Sequence, residues 1–244
     1  MKSFVPVLAF ASTALAHWNY DRLIHKGEIV GDAYEYIRQT TNSNSPVSDV
    51  TSTDMRCNVG GDNGNATETY EVAAGDSIGF VINSEFGHPG PQQVYISKAT
   101  DTAAEYDGSG DWAKIYAATT SNITSDGLQW AANGVSSFVF DLPSDLPAGE
   151  YLVRAEGIAL HGASTEGGAQ FYIGCAQVKV TGSGSGSLSP TVQIPGVYTG
   201  TEPGIEINIY YPVPTNYTTP GPALWPSGTA EHLYAPLVGS ATMF

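Results

Sequence analysis

Histidines and one tyrosine are the side chains of this chain whose types and positions could do chemistry. Five histidines occur, at positions 17, 25, 88, 161 and 232. His17 follows Ala14-Leu15-Ala16, a small-x-small cleavage pattern. That pattern closes a leader with Lys2 and a short apolar run over residues 4–10, which reads as a secretory signal peptide spanning 1–16. Cleavage after Ala16 would free the α-amine of His17, so one residue would offer two nitrogen donors. An α-amine has a pKa of about 7.7–8.0, and its neutral form is readily reached when a metal competes for it. A second imidazole in trans would complete three nitrogens in a T-shaped plane, a donor set that suits Cu(II).

His88 is the best candidate for that second imidazole. It lies in Phe86-Gly87-His88-Pro89-Gly90-Pro91, whose Gly and Pro residues would fix the backbone and leave the ring exposed. Taken alone, this loop reads better as an ordinary surface turn. The segment Gln170-Phe171-Tyr172-Ile173-Gly174-Cys175 sharpens the case. Strand alternation puts Gln170, Tyr172 and Gly174 on one face and Phe171, Ile173 and Cys175 on the other. The second set is apolar and belongs in the core, which leaves Gln170 and Tyr172 as a polar pair. Tyr172 could bring its phenol near the axial position of a metal, or simply pack with its hydroxyl hydrogen-bonded. His161 could orient a ligand from behind, be a ligand itself, or be a satisfied histidine at a strand end. His25 and His232 have no comparable surroundings and are given no role.

These residues need a scaffold, and the sequence points to strands. Short alternating or apolar runs recur at 69–72, 77–82, 93–97, 136–140, 151–155, 170–180 and 205–210, separated by turn residues such as Ala74-Gly75-Asp76 and Pro147-Ala148-Gly149. Many short strands at this spacing predict an all-β sandwich. The stretch 111–118 fits helix or strand. Residues 182–190, GSGSGSLSP, read as a flexible linker. The Pro-, Gly- and Tyr-rich stretch that follows is too short for a second domain and is expected to wrap the first. The expected division is a leader at 1–16, a catalytic sandwich at 17–226 and a short tail at 227–244. The only cysteines, Cys57 and Cys175, are expected to form one disulfide in an oxidising compartment.

Composition narrows the partners. The formal charge is −15, and losing Lys2 with the leader makes it one unit more negative. Such a charge disfavours nucleic acid and anionic membranes and leaves neutral polysaccharides open. No apolar run is long enough to span a bilayer, and a secreted, extracellular protein is expected. Asn65, Asn122 and Asn216 each begin an Asn-x-Thr glycosylation sequon. A glycosidase would need two carboxylates across a bond, and sequence spacing selects no such pair. No Gly-x-Ser-x-Gly elbow, phosphate-binding loop or Cys-x-x-Cys pattern is present.

Taken in order, these residues resemble the fungal lytic polysaccharide monooxygenases of auxiliary activity family nine, once classed as glycoside hydrolase family sixty-one. The resemblance runs from the leader joined directly to His17, through the His88-Pro89-Gly90-Pro91 loop and Arg154-Ala155-Glu156, to His161 and the segment Gly168 to Gln177. It continues through Pro195-Gly196-Val197-Tyr198, Pro203-Gly204-Ile205, Asn208-Ile209-Tyr210 and Pro220-Gly221-Pro222 with Trp225, nearly the whole mature chain. It implies an immunoglobulin/fibronectin-like β-sandwich with long surface loops and a flat face bearing one copper. By the same resemblance, His17 and His88 are the copper ligands, Tyr172 is axial, and His161 with Gln170 hydrogen-bonds bound oxygen species. The implied reaction is oxidative cleavage of cellulose or a related β-linked polysaccharide, using O₂ or H₂O₂ and an external electron donor. The protein is expected to act as a monomer. A non-catalytic secreted copper- or carbohydrate-binding sandwich is the alternative, and a glycoside hydrolase a distant third.

Exposed aromatics should stack on the sugar surface. Tyr217 matches the family's C-terminal surface tyrosine, with Tyr20, Tyr34 and Tyr211 as further candidates. A glycan on Asn216 would crowd Tyr217, so low occupancy is expected there. Two departures stand out. The second disulfide of many relatives is missing, and residues 76–88 lack the insertion of relatives that oxidise C4, a likeness to C1-oxidising members. With no cellulose-binding module after Trp225, targeting is expected to come from the flat face.

Overall fold

Period-two alternation of apolar side chains builds two sheets. In the computed structural model, which describes residues 16–233, a four-stranded sheet runs in the order β2 (Glu28–Val30), β1 (Tyr20–His25), β4 (Ser77–Ile82) and β9 (Ser137–Asp141). A five-stranded sheet runs β3 (Tyr70–Ala73), β11 (Gln170–Thr181), β10 (Gly149–Ala159), β5 (Gln92–Lys98) and β6 (Ala113–Ala118). The hairpin β7 (Thr120–Thr124) and β8 (Gly127–Trp130) stands apart. All pairings are antiparallel except β3 with β11. The expected leader, apart from Ala16, and residues 234–244 of the expected tail lie outside the described residues.

The sandwich holds together because both sheets bury an apolar face. Leu23, Phe80 and Phe138 of one sheet share a cluster with Val94, Val153 and Val178 of the other. Each such fully buried side chain contributes roughly 1.5–3 kcal/mol. The outer face of the five-stranded sheet is covered too. There Tyr95, Leu152, Phe171 and Ile173 pack with Met55, Ile194, Ile205 and Ile209 from long loops. Cover on both sides explains why β5, β6 and β10 are buried almost residue by residue. Cys57 and Cys175 are disulfide-bonded across a separation of 118 residues, tying one of those loops to β11.

Two expectations need correcting. Residues 205–210 form turns: Ile205 and Glu206 donate backbone N–H groups to Glu202 O, and Ile207 donates to Ala163 O. The alternation of Ile205, Ile207 and Ile209 is packing against the outer cluster without a partner strand. The Gly/Ser stretch after β11 is a fitted segment as well. Gly184 bridges Pro147, Gly186 N donates to Asp145 O at 2.8 Å, and a Cβ on Gly184 would lie 2.2 Å from Leu146 O. Its glycines serve close approach rather than freedom. The undecided stretch 111–118 contains β6. The C-terminal wrap continues beyond residue 226, where His232 bridges Ala118 on the outer edge of β6.

Candidate metal centre

One end of the sandwich gathers the start of β1, the loop after β4, the end of β10 and the start of β11, as the register pairs Tyr20–Ile82 and Ala159–Gln170 require. His17 is exposed, and the next residue anchors it: Trp18 is 1% exposed and stacks on Tyr172 at 3.9 Å. The His88 loop is pressed against β10, with Leu160 N donating to Pro89 O at 2.8 Å and Ile158 N to Pro91 O at 3.1 Å. A Cβ on Gly90 would stand 1.7 Å from Ile158 O, so only glycine allows that approach. Gly87 lies against Ala16: a Cβ there would be 3.1 Å from Ala16 Cα. The residue before His17 thus rests on the loop that carries His88.

The expected residues meet at this end. The rings of His17 and His88 lie 5.3 Å apart at 83°. Tyr172 is 5.9 Å from each of them. His161 stacks on His88 at 4.2 Å, and Gln170 Oε1 accepts a long 3.5 Å hydrogen bond from the Tyr172 hydroxyl. Two nitrogens here are buried with no hydrogen-bond partner, His88 Nε2 and His161 Nδ1. Leaving such an atom bare costs about 1–3 kcal/mol, a cost that a metal bond or a bound hydrogen-bonding molecule removes. Burial first, then the neighbouring His161 and His17, pushes His88 down to about 4, which keeps its imidazole neutral and its lone pair available. Burial raises the Tyr172 phenol, so it stays protonated. Among the described residues, no group of three His, Cys, Asp or Glu is arranged to hold a metal on side chains alone. The nitrogen donors this end brings together are the imidazoles of His17 and His88.

The tyrosines divide sharply. Tyr20 is 2% exposed, packs between the sheets and donates to Gln92 Oε1 at 2.7 Å, so it has no face to offer a sugar. Its place on an inward position of β1 overturns the expectation. Tyr217 is half-buried, donates to Gly204 O at 2.8 Å and packs edge-on against Trp130 at 4.9 Å. Tyr34 is half-buried, its backbone N–H bonded to Asp21 O. Tyr211 is 84% exposed. Its neighbour Tyr210, unassigned from sequence, is 60% exposed and shares a shallow groove with Pro89, the residue after His88. Two adjacent tyrosines in a Pro- and Gly-rich loop were the signal for it. Asn65, Asn122 and Asn216 are exposed. His25, given no role, accepts or donates at both nitrogens, to Tyr70 Oη at 3.2 Å and Asp76 Oδ2 at 2.9 Å. His232 stacks on Tyr116 at 4.8 Å.

Comparison with known proteins agrees with this geometry. Residues 13–217 match the family model described as Auxiliary Activity family 9 (formerly GH61). The chain is 52% identical over 221 residues to AA9 family lytic polysaccharide monooxygenase C of Emericella nidulans, covering 89% of this chain and 95% of that one. It is 46% identical over 226 residues to monooxygenase H of Malbranchea cinnamomea, covering 90% and 96%. Among solved structures, a cellulose-active polysaccharide monooxygenase from M. thermophila superposes with a TM-score of 0.73 at 31% identity, covering 86% of this chain and 99% of that one.

Proposed function

The chain belongs to auxiliary activity family 9, the copper-dependent lytic polysaccharide monooxygenases, and on that premise we propose a cellulose-oxidising site built on His17, His88 and Tyr172. It is a copper enzyme of oxidative polysaccharide cleavage, with one copper per chain, and it draws on O₂ or H₂O₂ and an external reductant. The family is secreted. In our reading the leader is cut after Ala16 and the chain works as a monomer. The α-amine and imidazole of His17 and the imidazole of His88 would hold the copper, with the Tyr172 phenol beside them. Bound there, copper supplies one-electron chemistry with the oxygen co-substrate, strong enough to take a hydrogen atom from a glycosidic carbon.

The chain's own residues set the conditions. A neutral His88 gives up no proton to bind metal at neutral pH. The protonated Tyr172 phenol, clamped by the Trp18 stack, offers a weak neutral oxygen rather than a phenolate. Gln170 and His161 flank the centre with an amide and an imidazole, groups able to hydrogen-bond the oxygen co-substrate. Tyr211, Tyr210, Tyr34 and Tyr217 form the sugar-stacking surface. Attack at C1 is supported by the short connection between β4 and His88. Cellulose is supported by the printed activity of the M. thermophila relative.

The meeting of His17 and His88 at 5.3 Å, edge to face, with a bare His88 Nε2 carries this reading. The test is copper-loaded, processed protein on cellulose with ascorbate, read by mass spectrometry. Aldonic acids that require the reductant are expected. C4-oxidised products would refute the C1 assignment, and inactivity on cellulose with activity on another glucan would refute the substrate.

A further inference from the structure

We propose that Asn44 is a positioning residue that fixes the His17 carbonyl, and with it the Cα that carries both the freed α-amine and the imidazole. This rests on the reading of His17 as the amino-terminal ligand. Asn44 Nδ2 donates to His17 O at 3.0 Å and to Asn83 Oδ1 at 3.3 Å, while Asn83 Nδ2 returns a bond to Asn44 Oδ1 at 2.9 Å. The two amides thus form a reciprocal pair beside the terminal residue. Asn83 grips the chain two residues on: its Oδ1 accepts from Asn19 N at 2.9 Å and its N–H donates to Asn19 O at 3.1 Å.

The Asn44 side is anchored as well. Asn19 Nδ2 donates to Ser43 O at 2.5 Å, and Ser43 holds a left-handed φ of 55°. Asn42 Nδ2 closes the turn on Ser45 O at 2.7 Å and reaches Asn58 Oδ1 at 2.8 Å. Asn58 follows disulfide-bonded Cys57 and donates to Ile173 O on β11 at 3.1 Å. A chain of amides therefore runs from the disulfide and β11 to the backbone of His17.

The chemistry of an amino-terminal ligand explains why this matters. Any terminal histidine can chelate a metal through its amine and ring. What the fold must add is the chelate's orientation toward His88. Once the Ala16–His17 bond is cut, the Cα that carries the amine and the ring is tethered to the chain only through its carbonyl carbon, so the plane of that carbonyl sets where the chelate sits. Asn44 holds it. A neutral amide does so without adding a carboxylate that would compete for the metal.

The experiment compares processed wild type with Asn44→Ala and Asn44→Leu, the second keeping the approximate shape but losing the donor without introducing a charge. Three quantities are read: the Cu(II) dissociation constant by chelator competition, the Cu(II) EPR spectrum, and the unfolding midpoint of metal-free protein. Both variants should bind Cu(II) about fivefold more weakly, the worth of one net hydrogen bond. Their EPR parameters should shift while the metal-free midpoint holds. Wild-type affinity and spectrum in both variants would overturn the proposal. So would a lowered midpoint with an unchanged spectrum, which is the behaviour of a merely structural residue. The underlying reading is checked separately by wild type carrying one extra residue before His17. If that protein keeps the tight site and its spectrum, the terminal-amine reading itself falls and the role of Asn44 falls with it.

Discussion

His88 should titrate far below an ordinary histidine, and this can be tested without turnover. Its ring is half-buried, stacked on His161 and edge-on to His17, and burial followed by those two neighbours brings it to about 4. At pH 5 a group with that value is roughly 9% protonated, whereas a histidine at about 6.5 would be roughly 97% protonated. The fraction of protein with a metal-ready His88 at pH 5 therefore differs about thirtyfold between the two cases. The sign for stability follows. A depressed histidine pKa means the unfolded chain takes the proton first, so stability is lost as pH falls through about 6.5 toward 4. The full shift corresponds to about 3 kcal/mol, which partial exposure reduces to roughly 1 kcal/mol. Nitrogen-resolved NMR of the metal-free, processed protein reads the His88 midpoint directly. His161→Gln removes the second cause and should raise that midpoint, yet leave it below 6.5 because burial is the larger cause. A wild-type midpoint at or above 6.5 would refute the assignment of His88 to a desolvated, cation-crowded position.

Three further outcomes follow from packing and exposure. Replacing Cys57 and Cys175 by serine releases a loop of 118 residues, which costs up to about 5 kcal/mol on the chain-entropy model; urea unfolding of oxidised and variant protein measures it, and an unchanged midpoint would refute it. Tyr210→Ala and Tyr211→Ala should weaken cellulose binding in a pull-down while leaving the thermal midpoint intact, since both rings are exposed. Tyr20→Ala should do the reverse, losing about 3–5 kcal/mol of stability through its cavity.

The parts legible in the sequence were those encoded locally. A Gly/Pro-framed loop around His88 and the alternation of 170–175 each need only a few neighbouring residues. What escaped depends on contacts distant in sequence. The alternation at Gln170, Tyr172 and Gly174 was read correctly, but both faces of β11 are buried: Tyr172 lies between the sheets and Phe171 under the loops. Period two cannot say whether a loop covers the second face. Tyr20 was misplaced for the same reason, because nothing local distinguishes an inward tyrosine from a surface one. The amides at Asn44, Asn58 and Asn83 look like ordinary turn residues until the fold brings them beside His17.

The openness of this site decides where its rigidity must come from. A polysaccharide chain longer than the enzyme cannot be enclosed, so no lid can orient the reacting groups or shut out water around them. His17 is exposed, and His88 and His161 are only half-covered. Order must therefore be supplied from below and from the sides. From below come the Trp18–Tyr172 stack at 3.9 Å and the His88–His161 stack at 4.2 Å. From the side come the His88 loop, held to β10 by the Pro89 and Pro91 carbonyls, and the amide pair on the His17 carbonyl. Each of these contacts is present with Ala16 still joined to His17. Cleavage after Ala16 would then complete a site whose geometry is already in place, so the donor set is finished by processing and its orientation by folding.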